Sequence, residues 1–160
     1  MIVVSNTSPI LNLTMVGHGG LLRDLYSEVF IPEAVASELR AIQAEQQDPG
    51  NAIPSWVGTR SVANVPLVHA LQLELDAGES EAIVLALETR ADLVLLDERK
   101  ARAVAARMGV RFIGLLGVLL EAKRRRHIPT VKPLLDSLTV KAGFWLGSHL
   151  YARVLREAGE

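Results

Sequence analysis

Two hydrophobic rhythms alternate along the chain. Short β-branched runs at 2–5, 28–31, 92–96 and 110–113 have the composition of buried strands, and longer stretches with helical spacing separate them. In one such stretch Val35, Leu39 and Ile42 recur at i, i+4 and i+7, an apolar stripe behind Pro32. Buried strands alternating with helices predict an α/β fold, a three-layer α/β/α sandwich around a parallel sheet.

Capping chemistry sharpens the element boundaries. Ser8-Pro9 reads as an N-cap followed by proline at the first helical position, and Pro32 opens the next helix in the same way. Asp76-Ala77-Gly78-Glu79 fits a capping-box variant at the head of a helix over 78–90. Helices over 98–108, stopped by Gly109, and over 115–126 follow. Residues 48–68, with Asp48-Pro49-Gly50-Asn51, Pro54, Gly58 and Pro66, read as a loop with one edge strand near 59–63. The expected organisation is a core over 1–128 and a helical appendage of the same domain over 129–160. The appendage reads as helices at 130–140 and 145–157, joined around Gly143.

Composition narrows the functional classes. At 49% hydrophobic and 22% charged, the chain can bury a core, which excludes intrinsic disorder. Seventeen basic residues against eighteen acidic ones give a formal charge of −1, so a globally basic nucleic-acid coat is excluded while a local basic surface is not. The absence of cysteine removes disulfides, thiol nucleophiles and cysteine-held metals together. No basic region precedes the short apolar run at 2–4, and the apolar stretch at 112–120 falls short of the ~20 residues a spanning helix needs. The expectation is a cytoplasmic protein with no membrane contact.

Chemistry then rests on carboxylates. Asn6 and Asp97 each follow a strand, where parallel sheets open a crevice; Asp97 has the competing task of capping the helix after it. Glu38 has Ala34, Val35, Ala41 and Ile42 as its helical neighbours, so it is either a buried charge needing a partner or a residue at the stripe's edge reaching water. Glu79 and Glu81 lie roughly 200° apart around a helix. Glu79 has the capping box to serve and Glu81 has no such duty, which favours Glu81 as the functional acid and leaves Glu79 as the alternative. Several carboxylates with no cysteine and no clustered histidine suit a hard cation, Mg²⁺ or Mn²⁺, and metal-assisted phosphodiester hydrolysis.

Four motifs in order then carry a resemblance. They are Ser5-Asn6-Thr7-Ser8-Pro9, Pro32-Glu33-Ala34-Val35-Ala36-Ser37-Glu38-Leu39, Gly78-Glu79-Ser80-Glu81-Ala82-Ile83 and Leu95-Leu96-Asp97-Glu98-Arg99-Lys100. With the run at 117–123, nearly the whole chain resembles the PIN-domain proteins, the family of VapC-type toxin ribonucleases, and is most similar to a branch of prokaryotic PIN-like proteins. The resemblance implies a PIN-like sandwich and a metal-dependent endoribonuclease cleaving single-stranded RNA, the toxin of a toxin–antitoxin pair. It also implies a small antitoxin partner and a homodimer. Carried over by position, Asn6, Glu38, Glu81 and Asp97 would hold Mg²⁺ or Mn²⁺. Glu38, Glu81 and Asp97 would be catalytic, and Ser8 would supply a hydroxyl near the first ligand. The family's first acid is usually Asp; Asn6 offers an oxygen without charge. The alternative is therefore a catalytically degenerate PIN-like protein that binds RNA or protein.

Cations at the head of a helix oppose its dipole, so Arg99, Lys100 and Arg102 are expected either to hold an RNA backbone or to form a solvated face. The run Lys123-Arg124-Arg125-Arg126-His127 suits a helix C-terminus equally well. The four histidines have no ligand spacing, and Trp56 and Trp145 read as packing anchors.

Overall fold

In the computed structural model, which describes residues 1–47 and 50–160, five strands form one all-parallel sheet in the order β3-β2-β1-β4-β5. The strands are β1 (Ile2–Ser5), β2 (Glu28–Pro32), β3 (Val57–Arg60), β4 (Leu93–Leu95) and β5 (Phe112–Ile113). Alternation along β1 sends Val3 into one core and Val4 into the other. The first core joins Val3, Val29, Ile31 and Leu95 to α1 (Thr7–Met15), α2 (Leu21–Leu25), α3 (Glu33–Glu45) and α7 (Leu115–Arg124). The second joins Val4, Val94 and Leu96 to α4 (Val65–Leu71), α5 (Ala77–Thr89) and α6 (Arg99–Arg107). These are the three layers expected from the hydrophobic pattern.

The C-terminal stretch packs on the first core. Val131, Leu135 and Leu138, at and within α8 (Lys132–Lys141), are fully buried there, and Val154 of α9 (Ser148–Glu157) joins them. The Glu160 carboxylate fastens the end of the chain, accepting from Val131 N–H at 2.7 Å and pairing with Lys123 Nζ at 2.8 Å.

Several boundaries differ from expectation. Helix α1 starts at Thr7 with Asn6, not Ser8, at the N-cap. Pro9 is accommodated because first-turn N–H groups have no helical partner. Pro32 is itself the N-cap of α3 rather than its first residue. The edge strand is Val57–Arg60, where Val57 is buried while Ser61 and Ala63 are exposed. Within the expected loop, Asn64 accepts from Leu67 N–H and nucleates α4, with Pro66 in its first turn. The turn expected at Asp48-Pro49 lies outside the described residues. Among the described residues, no helix is long and apolar enough to cross a membrane.

Candidate metal centre

The C-terminal ends of β1 and β4 lie side by side. They pair through Ser5 and Leu95, and Asn6 N–H extends the pairing by donating to Leu95 O at 3.1 Å. Asn6 serves the N-cap position of α1 without a side-chain cap bond, which leaves its buried amide free for another task.

That amide and Glu38 both lie close to a glycine. A side-chain carbon at Gly78 would sit 3.1 Å from Glu38 Oε1 and 3.2 Å from Asn6 Oδ1, so both oxygens lie against the bare first turn of α5. Thr7 Oγ1 donates to Glu38 Oε2 and leaves Oε1 as the oxygen that lies against Gly78. Of the two readings of Glu38, the half-buried and partnered one holds. Thr7 was not singled out from the sequence, whereas Ser8, which was, makes no side-chain hydrogen bond among the described residues.

Glu79 and Glu81 serve different neighbours. The capping box at the head of α5 is complete: Glu79 N–H donates to Asp76 Oδ1 at 2.8 Å, and Asp76 N–H donates to Glu79 Oε2 at 3.2 Å. This engages one Glu79 oxygen and leaves Oε1 uncommitted. Burial pushes the Glu79 carboxyl above its ordinary range, and the charges of Asp76, Glu98 and Glu38 push the same way, against the Asp76 N–H bond. Glu81 instead accepts from Ala34 N–H at 3.0 Å, bracing the head of α3. Burial raises its carboxyl too, but the acid it senses is Glu33.

Asp97 does not cap the helix that follows it; Glu98 occupies that N-cap position. Its Oδ1 crosses to the next strand end and accepts from Leu115 N–H at 2.9 Å. Arg102 lies 3.7 Å from the same oxygen and donates through Nε to Leu96 O at 2.8 Å. Gly114 permits this, since a methyl group there would collide with the guanidinium. Asp97 Oδ2 is buried without a hydrogen-bond partner. Burial raises the Asp97 carboxyl, the Leu115 N–H bond and Arg102 lower it, and Glu98 adds to the rise. Arg102 is thus committed to the floor of the site, while Arg99 and Lys100 stand exposed at the head of α6.

The structure therefore brings Asn6 and Glu38 both against Gly78 and links Glu79 electrostatically to Glu38 and Glu98. It sets Asp97 on the neighbouring strand end beside Glu98. All donors are oxygens, two carboxyls are held above their ordinary range, and one buried carboxylate oxygen is an orphan, so the set fits a hard cation. Among the described residues no three Asp, Glu or His side chains form a ready-made cage. Mg²⁺ does not require one, because it keeps several waters and binds through one or two carboxylates plus substrate phosphate.

An all-parallel three-layer sandwich with an oxygen-rich crevice at the strand ends is an α/β domain with a candidate site where parallel sheets place theirs. The family comparison agrees: residues 2–160 match the family model described as a PIN domain, and the chain belongs to the PIN-domain family. That family carries nuclease-type function, generally with divalent metals and nucleic-acid substrates. No curated protein matches the chain.

Proposed function

We propose that the chain is a metal-dependent endoribonuclease for single-stranded RNA whose cation is held by Asn6, Glu38, Asp97 and Glu79. The observation that carries this reading is the orphaned, buried Asp97 Oδ2 at the end of the strand beside Asn6. A buried carboxylate oxygen without a partner costs free energy unless something binds it. Each of the two keeps Oε1 unengaged, and the acids that Glu79 senses, Glu38 and Glu98 against Glu33 for Glu81, favour Glu79 for the remaining position. This reverses the order expected from the sequence.

A cation held there would bring positive charge to the scissile phosphate and acidify a water. Thr7 fixes the rotamer of Glu38, and Leu115 N–H with Arg102 fixes that of Asp97. Glu79, whose carboxyl burial raises, would face the cation through the attacking water and take that water's proton at Oε1. Arg99 and Lys100, exposed at the head of α6, hold the RNA backbone. The toxin role, the small antitoxin and the homodimer rest on the VapC likeness of the four motifs, and the cytoplasmic setting on the cysteine-free sequence without a leader-like or spanning stretch.

The test is Mn²⁺-dependent cleavage of a mixed-sequence single-stranded RNA. Glu79→Gln is expected to lower the rate by roughly 10²-fold, and Glu81→Gln to leave it within about threefold, since glutamine still offers an oxygen to Ala34 N–H. The reverse ranking would restore Glu81 as the ligand. A second reading, a degenerate binder, is favoured by the uncharged amide at Asn6. Under it wild type is inactive, and cleavage emerges only in Asn6→Asp.

A further inference from the structure

A cleft of about 640 Å³ opens directly from the acidic crevice. Asp97, Glu98 and Arg102 form one end, Leu116 and Leu120 of α7 line it, and Trp145 and Arg153 come from the C-terminal stretch. Trp145 is 85% exposed, against the packing role expected of it. Large aromatic side chains are rarely left this bare, because each holds substantial apolar area that folding would normally bury. The chain turns into this position through Gly143, at φ +64°, and the far edge of the indole ring lies by Gly147. Arg153 pairs with Glu157 at 3.0 Å and stays two-thirds exposed.

We propose that this cleft holds the nucleotide next to the scissile phosphate of a single strand, its unpaired base stacked on Trp145 and its backbone held by Arg153. The inference rests on the nuclease reading and adds a substrate-positioning residue to it. Three observations favour nucleic acid as the occupant. The cleft is continuous with the crevice, so a strand whose phosphate sits at Asp97 must continue past a neighbouring wall. Arg153, which lines the cleft with Trp145, keeps its side chain two-thirds exposed and can meet a backbone phosphate there, whereas Arg102 is engaged by Leu96 O and Asp97. A bare indole face suits any base, because every base has a π-face, and a base paired within a duplex cannot stack on it.

The experiment uses Trp56→Phe, which leaves Trp145 as the sole tryptophan. Titration with an unlabelled single-stranded RNA octamer in millimolar Ca²⁺ is expected to quench its emission saturably, while duplex RNA of the same sequence does not. In the full chain, Trp145→Ala is expected to weaken octamer binding about tenfold or more, and Trp145→Phe to recover most of it. In Mn²⁺, Trp145→Ala should raise KM for the octamer and leave kcat nearly unchanged. Unquenched emission together with equal affinities for wild type and Trp145→Ala overturns the proposal. So does a change of oligomeric state in Trp145→Ala, seen by light scattering with RNA affinity intact, which would make the cleft a protein interface. Quenching with no Mn²⁺-dependent cleavage supports stacking and removes the nuclease reading alone.

Discussion

Asp97→Asn is expected to lower Mn²⁺-dependent RNA cleavage by roughly 10²-fold or more while leaving the metal-free fold at least as stable as wild type. Asparagine keeps an oxygen for Leu115 N–H, so the bond that joins the end of β4 to the head of α7 survives. It removes a charge that burial makes costly. The sign follows from the raised carboxyl. A group whose pKa is higher folded than unfolded gives its full stability below the unfolded value, about 4 for Asp. That contribution is lost as pH rises through the folded value. At neutral pH the wild type therefore carries the penalty and the variant does not. Thermal melting of both proteins in EDTA, from acidic to neutral pH, should show wild type losing ground to Asp97→Asn as pH rises. A variant that melts well below wild type at neutral pH would mean that Asp97 is structural and that its loss of activity says nothing of a metal.

Leu135→Ala is expected to destabilise the protein by about 2–5 kcal/mol, a large part of the roughly 5–15 kcal/mol that typically separates folded from unfolded domains. Leu135 is fully buried in the core shared with β1, β2 and β4. Its truncation removes apolar contact and leaves a cavity. Leu73→Ala is the control, since Leu73 is 89% exposed and its loss should change little. Urea unfolding reads both, and an unchanged m-value would show that the same cooperative unit is unfolding. If Leu135→Ala unfolds near the wild-type midpoint, residues 129–160 are a detachable appendage and not a wall of the core.

The legible parts of this fold are those set by local chemistry. β1 reads directly from its β-branched run, and the complete capping box at Asp76 and Glu79 places the head of α5. The strand-end rule puts Asn6 and Asp97 at the carboxyl ends of their strands, and the sheet order makes those strands neighbours. α4 was hidden because Asn64 and Pro66 signal a loop and a helix start in the same letters. The ranking of Glu79 and Glu81 depends on which acids each faces across the fold, Glu38 and Glu98 for Glu79 and Glu33 for Glu81. A capping box occupies one of the two oxygens of Glu79, and Ala34, which claims Glu81, comes from a distant segment. The Gly78 and Gly114 contacts are equally tertiary, since each glycine matters for the side chain that another element lays across it.

Manganese soaked into crystals of the wild-type protein and located by anomalous diffraction tests the central claim most directly. One strong peak is expected at bonding distance from Asn6 Oδ1, a Glu38 oxygen and Asp97 Oδ2, with Glu79 within reach of it directly or through one water. The peak should weaken at acidic pH, as protons compete for the raised carboxyls of Glu79 and Asp97. A crystal saturated with manganese that shows no peak between Glu38 and Asp97, or shows the Arg102 guanidinium filling that space, contradicts that claim.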